Sequence, residues 1–453
     1  MRSAQLTGEL ARQARALRHV HLPSDVRRIA LHCILDWYAV TLAGLREPCV
    51  AIAAADAMQE GGAPHATIAG QPRKGGMYAA ALVNGTAAHA LDYDDVNVAI
   101  TGHPTAVILP AVLALAEARR ASGADLIAAF VAGYEVACRA GRYLGDAHYE
   151  RGFHASATAG VVGAAAACGR LLRLNDAQMQ AALALAATQA AGLKCMFGTM
   201  AKPLHAGLAA RNGLMAARLA ALDFDGGLGK LEAPQGYGAA LSPSPDAAAA
   251  LAAPAAGLHI RNRLFKYHAA CYGVNAGIEC ARAYRREHPQ RVGGIVRIAA
   301  RAHVSGANMC NIAKPENAAQ ARFSLRLNIA FGLLGFDTAD VDVYTPERLN
   351  DPEVVRLRDL VDVVFVDDLN MMESELTILA GDGARHVIRR DAGQPARDLD
   401  EEEQRLTAKF DTLCVPILGA ERTQEIQEEI WTLAGAPNVD RLAEALAPGG
   451  GLG

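Results

Sequence analysis

Residues 292–304 read VGGIVRIAARAHV, and the alternation of apolar and polar side chains through them predicts a β-strand. Nothing before about residue 255 carries that period. There the apolar residues recur at helical spacing, and helices are expected at roughly 5–19, 25–45, 48–58, 76–93, 105–121, 123–145, 155–172, 175–191 and 204–222. Within 123–145, Glu135 and Arg139 have the i, i+4 spacing of an ordinary helix ion pair. Downstream, VDVVFVD at 361–367 reads as a second strand, and 373–391 as a hairpin turning on Gly381-Asp382-Gly383. Helices near 270–287, 316–334 and 351–360 would cover these strands. After Gly393-Gln394-Pro395 the helical pattern resumes at 400–418, 420–433 and 438–446. This order predicts a mainly α chain. A large all-helical domain of discontinuous sequence (1–258 and 398–453) would receive a smaller α+β domain (259–397), and the cleft between them would be the ligand site.

Composition narrows the function. Hydrophobic residues make up 51% of the 453 and charged residues 20%, enough for a large core, while aromatics are only 5%. The core must therefore be built from Ala, Leu, Val and Ile, and the many Ala and Gly residues predict close helix–helix contacts. A net charge of −4 without a basic block argues against a nucleic-acid partner. The nine cysteines are scattered with no Cys-x-x-Cys pair, which favours buried thiols in a reducing compartment over disulfides or structural zinc. Apolar runs are short or broken by charge and the first twenty residues hold no apolar signal core, so no membrane span is expected and the cytoplasm is the expected location.

Chemistry concentrates in 85–115, GTAAHALDYDDVNVAITGHPTAVILPAVLAL. An acidic cluster (Asp92, Asp94, Asp95) ends one Ala-rich helix. A short loop ending in Gly102-His103-Pro104-Thr105 then opens the next helix, whose free N–H groups and dipole favour an anion. Further candidates are His154 at the start of a small-residue helix, Lys202 and His205 in Lys-Pro-Leu-His-Ala-Gly, and Lys266 and His268 in Phe-Lys-Tyr-His. Taken singly, each also fits a cap or a solvated loop. Metal-ligand spacings, Gly-x-Gly-x-x-Gly after a strand, a Walker sequence and a Gly-x-Ser-x-Gly elbow are all missing. Acid–base chemistry by Asp, His and Lys remains, with neither metal nor cofactor expected.

Together these stretches resemble the MmgE/PrpD family, which includes 2-methylcitrate dehydratase, cis-aconitate decarboxylase and iminodisuccinate epimerase. The resemblance rests on Leu35-Asp36-Trp37, Leu42-Ala43-Gly44, Asn84 to Asp95, Gly102-His103-Pro104, Gly133-Tyr134-Glu135, Phe153-His154, Lys202 to Gly207, Phe265 to His268, Phe323-Ser324-Leu325 and Lys409-Phe410, in that order. It implies a helical domain, a smaller α+β lid domain, a homodimer and no cofactor. It also implies a site whose polar residues are Asp92, His103, His154, Lys202 and Lys266. Three positions depart from the pattern. Val96 stands where many members have Thr, Asn275 where many have His, and Leu327 where many have Tyr.

The shared chemistry is proton movement at a carbon beside a carboxylate, which needs a placed base and cations for the developing charge. Lys202 and Lys266 are the expected carboxylate binders, with His268 a weaker one. His103 and His154 are the expected proton carriers, and Asp92 an orienting or acid–base group. The leading expectation is a dehydratase-type lyase acting on a small polycarboxylate or hydroxy acid. An epimerase of a small dicarboxylate such as iminodisuccinate is the alternative, and a non-catalytic small-acid binding protein comes third.

Overall fold

The computed structural model describes residues 6–307 and 309–448; the first residue of the helix expected at 5–19 lies outside them. The chain divides into two units, Met1–Phe265 with Arg397–Gly453, and Lys266–Ala396.

Up to Phe265, the described helices of eight or more residues in the first unit are α1 (Leu6–Ala16), α2 (Ser24–Gly44), α3 (Pro48–Glu60), α4 (Met77–His89), α5 (Thr105–Ala118), α6 (Gly123–Leu144), α7 (Ala155–Leu171), α8 (Asp176–Ala187) and α9 (Ala201–Ala220). Small residues let these helices touch backbone to backbone. Every residue of α7 from Ala155 to Arg170 is buried. It meets α6 glycine to glycine: a Cβ on Gly163 would stand 2.7 Å from Gly133 O, and one on Gly133 the same distance from Gly163 O. Helices α4 and α9 cross in the same way, and a Cβ on Gly207 would lie 2.1 Å from Leu82 O. These contacts bring the end of α4 and the starts of α5, α7 and α9 to one place.

Two local readings change. The helix expected over 76–93 ends at His89, where Ala90 N and Asp92 N turn back to Ala87 O and His89 O at 3.2 Å each, and Asp92 beyond it adopts the left-handed conformation (φ 52°). The loop that follows contains a two-residue strand, β1 (Val96–Asn97), antiparallel to β2 (Arg263–Leu264). Glu135 and Arg139 form no ion pair with each other. Both are buried, and each satisfies a distant backbone instead: Ile260 N donates to Glu135 Oε1 at 3.0 Å, and Arg139 Nη1 donates to Ala250 O at 2.7 Å. These bonds and the β1–β2 pair hold residues 250–264 to the first unit. The division after 258 expected from the sequence therefore falls after Phe265.

In the second unit, α10 (Tyr272–Glu287), α11 (Leu325–Leu334) and α12 (Pro352–Asp359) accompany β3 (Ile295–His303), β4 (Val361–Val366), β5 (Glu373–Ala380) and β6 (Arg385–Asp391). The sheet order is β4-β3-β5-β6, with β3–β4 parallel and the other pairs antiparallel. The hairpin turn is closed by Gly383 (φ 85°), whose N–H donates to Ala380 O at 2.9 Å. The helix expected over 316–334 is broken before Leu325, where Ser324 accepts from Leu327 N (3.3 Å) and donates to Ile312 O (2.6 Å). Ile298, Leu376, Ile378, Ile278, Phe331 and Leu357 lie in its core.

The C-terminal helices α13 (Leu399–Leu418) and α14 (Ala420–Thr432) rejoin the first unit. Buried Glu402 of α13 accepts from His32 Nδ1 (2.8 Å) and from Arg263 Nη2 (2.5 Å), which ties α13 to α2 and β2. The fold is thus mainly α, with the strands confined to small sheets. No single helix among the described residues is long and apolar enough to cross a membrane; α2 and α3 pass such a test only as a pair, and they are bent by 88°.

Candidate active site

Four of the six residues expected at the site come together within the first unit. Asp92 follows the end of α4, His103 lies just before α5, His154 precedes α7, and Lys202 is in the first turn of α9; His89, the last residue of α4, joins them. Gly102 makes the approach of the α5 entry to α7 possible, since a Cβ there would lie 2.5 Å from Ser156 Oγ. Ser156 Oγ in turn accepts from His103 N at 3.0 Å.

At the solvent side, Lys202 Nζ donates to Asp92 Oδ1 at 2.6 Å, and His103 Nε2 lies 3.4 Å from the same oxygen. The other nitrogen of His103 is 3.1 Å from Asp94 Oδ2, off the axis of a hydrogen bond. Asp94 is buried and also accepts from His89 Nδ1 at 3.0 Å. Burial alone would raise the Asp94 carboxyl, but the His103 and His89 rings outweigh it and hold it well below the usual carboxylate range. The ring of His89 lies between two others, with centroids 4.6 Å from His103 and 5.5 Å from His154.

His154 is buried. Its backbone N–H donates to Gly192 O at 2.9 Å, and its Nδ1 is 3.2 Å from His205 Nδ1. Burial first, then the proximity of His89, Lys202, His103 and His205, pushes its imidazole far below the ordinary value. His154 is therefore neutral near pH 7, the form that accepts a proton. A bound polyanion would draw its pKa back up, as an opposite charge does.

The other two expected residues belong to the second unit. Lys266 opens that unit and is buried. Both ring nitrogens of His268 face neighbours within the unit, Nδ1 at 2.7 Å from Thr338 Oγ1 and Nε2 at 3.3 Å from Glu279 Oε1. Its ring is thus held between Thr338 and Glu279. His89, Asp94 and His205 lacked assigned site roles. The signal for His205 was available: Lys202 and His205 are three residues apart and share one helix face. Of the described residues, His89, Asp92, Asp94 and His103 can each offer one ligand atom to a cation, all within 4.8 Å of one another. The Lys202 ammonium already meets Asp92 there, so a metal would compete with it.

Beneath this cluster lies Asp95, buried, accepting from Tyr134 Oη at 3.2 Å. Burial first, then the charge of Asp36, pushes its carboxyl up to about 7. A raised carboxyl contributes stability that is fully present below its unfolded value of 3.8 and is lost as pH rises through about 7. An Asp95→Asn variant should therefore melt close to the wild type at pH 4–5 and several degrees above it by pH 8. Thermal melts across that range check the sign, and a difference that shrinks with rising pH contradicts it.

Comparison with known proteins adds the family. The MmgE/PrpD N-terminal domain model matches residues 8–250, and the MmgE/PrpD C-terminal domain model matches residues 268–433. Among similar proteins, human (Homo sapiens) cis-aconitate decarboxylase is 29% identical over 424 residues, 89% of this chain and 87% of that protein. The cis-aconitate decarboxylase-like protein oryM of Aspergillus oryzae (strain ATCC 42149 / RIB 40) is 35% identical over 227 residues, 48% of this chain and 46% of that protein. The cis-aconitate decarboxylase of Aspergillus terreus (strain NIH 2624 / FGSC A1156) is 31% identical over 303 residues, 63% of this chain and 61% of that protein. The matched region thus spans about half the length of the Aspergillus oryzae relative and most of the human one. With both domain models matched in order along most of its length, the chain belongs to the MmgE/PrpD family.

Proposed function

We propose that this protein is a cofactor-independent lyase that removes a proton from a carbon beside a carboxylate of a small polycarboxylate, with loss of water as the favoured outcome. One observation carries the reading: a neutral, buried imidazole (His154) shares a cluster with the Lys202–Asp92 pair and with His103. His154 takes the α-proton, the Lys202 ammonium meets a substrate carboxylate, and His103, flanked by Asp92 and Asp94, protonates the departing hydroxyl.

Decarboxylation is the second reading, favoured by the similarity to human cis-aconitate decarboxylase along most of both chains. The three departures weigh against it. Asn275 Nδ2 donates to Cys271 O at 3.0 Å, Leu327 is part of the second unit's core, and Val96 pairs with Leu264 in β1–β2. At these positions the chain offers no imidazole, phenol or hydroxyl.

Incubating the protein with 2-methylcitrate, cis-aconitate and iminodisuccinate in D₂O with EDTA, followed by NMR, separates the outcomes. Elimination of water from the hydroxy acid supports the proposal. Carbon dioxide from cis-aconitate supports the second reading. Proton exchange with inversion and no loss of mass identifies an epimerase. Ligand-induced thermal stabilisation without any turnover identifies a binding protein. Lys266 is proposed as a further carboxylate-binding cation. Lys266→Gln should then raise KM about tenfold or more, the scale of one charged hydrogen bond, and an unchanged KM removes it from that role. A homodimer is also proposed, and light scattering of the purified protein tests it.

A further inference from the structure

At the end of α7 remote from His154, the first unit has a cavity open to solvent, of about 340 Å³, lined by Arg15, Arg18, Asp125, Arg170, Arg173 and Leu174. Four guanidinium groups face one carboxylate. Arg15 is engaged, donating through Nε to Leu174 O at 2.8 Å and pairing with Asp176. Arg170 is buried and spends its Nε on Leu17 O at 2.6 Å. Among the described residues, neither the terminal nitrogens of Arg170 nor the guanidinium of Arg173 has a hydrogen-bond partner, and Asp125 forms no ion pair with any of the four.

The backbone adds a second observation. Arg173 follows the α7 cap in the left-handed conformation (φ 58°), fixed by Arg173 N to Arg170 O at 3.1 Å and Leu174 N to Gly169 O at 3.0 Å. Glycine ordinarily takes that position, and an arginine there costs on the order of 1 kcal/mol. Basic residues near a helix C-terminus do offset its dipole, which accounts for Arg170 and Arg173. The same holds at the end of α1, where Arg15 lies in the last turn and Arg18 Nη1 donates to Arg15 O at 3.4 Å; it does not by itself bring the arginines of two helix ends to one cavity. Burial, and then the charges of Arg18 and Arg173, lower the pKa of Arg170, with Asp125 opposing them.

We propose that this cavity is a second anion site, taking a small, multiply charged oxyanion through bidentate guanidinium contacts. The volume lies at the lower end of the ~300–1,000 Å³ range of small-molecule sites. Planar guanidinium forks match phosphate and carboxylate oxygens in pairs. Helix α7 is 17 residues long, about 25 Å at 1.5 Å per residue, so the cavity is no subsite of the His154 cluster. Phosphate esters and polycarboxylates share the required chemistry.

Isothermal titration with inorganic pyrophosphate and, separately, with citrate tests the proposal on the full chain. It uses wild type, Arg18→Gln/Arg173→Gln and Lys202→Gln. Both replaced arginines are exposed, so the double variant should fold. The expected result is saturable binding of at least one probe at one equivalent per chain, weakened at least about tenfold in the double variant and unchanged in Lys202→Gln. The tighter probe tells phosphate from carboxylate ligands. Absence of saturable binding by both probes overturns the proposal. So does survival in the double variant of every binding event seen in the wild type, or loss of all of them with Lys202.

Discussion

A His154→Ala variant should lose turnover on the true substrate by ~10²–10⁴, the usual contribution of one placed acid–base group, while its circular dichroism stays that of the wild type. The reasoning starts from burial. An imidazole held far below its ordinary pKa by desolvation and by surrounding cations and rings is a neutral acceptor. Its Nδ1 faces His205, and its ring lies against His89 and the edge of Phe197. Such a base stays unprotonated as pH falls, so the acid limb of kcat/KM attributable to it should lie below pH 6.5. Alanine also removes packing, so His154→Asn serves as the partner variant: it can keep a hydrogen bond toward His205 but cannot take a proton. Both variants should fall together in kcat, with KM changed much less. Wild-type rates in both, or a loss in alanine that asparagine restores, would leave His154 a packing residue.

That prediction was open to a sequence reader in outline only. The helical period marked the helix that becomes α7, and the small residues after His154 foretold its close packing. The strand alternation in 292–304 separated the α+β part from the rest. Local pattern failed wherever a distant partner decided the outcome. Asp92 looked like a helix continuation, but its left-handed backbone comes from the loop it enters. Glu135 and Arg139 matched a surface ion pair, yet burial on α6 sends each to a backbone group more than a hundred residues away. His268 stood beside Lys266 in an apolar stretch. Its partner Thr338, seventy residues on, is invisible to any local rule. His89 gave no local signal of its own: only the return of His103 and His154 shows its ring lying between theirs.

The largest effect on stability should come from a residue outside the reacting cluster. Lys409 of α13 is buried; its Nζ donates to Asp36 Oδ1 at 2.6 Å and to Tyr93 O at 2.8 Å, and lies 3.8 Å from the centre of the Tyr93 ring. Burial pushes the Asp36 carboxyl up to about 6, with Lys409 opposing the rise. Asp36 in turn helps raise Asp95. This ammonium therefore offsets buried carboxylates that would otherwise share one uncompensated region. Lys409→Met should destabilise the protein by ~3–5 kcal/mol, the cost of removing one partner from a buried pair. The sign with pH follows from Asp36. Below its unfolded value of 3.8 the carboxyl is neutral in both proteins, so the deficit is smallest there. It grows as pH rises through about 6, because the variant must then bury a charge or hold a proton against its ordinary pKa. Adding Asp36→Asn should return part of the loss, since a pair removed together leaves nothing unpaired. Because Lys409 also holds the carbonyl of Tyr93, the variant should lose activity below its melting temperature, as the loop bearing Asp92 and Asp94 loosens. Thermal melts at pH 5 and pH 8 decide the matter. Equal melting of wild type and Lys409→Met at pH 8 would mean that the buried carboxylates find their balance elsewhere.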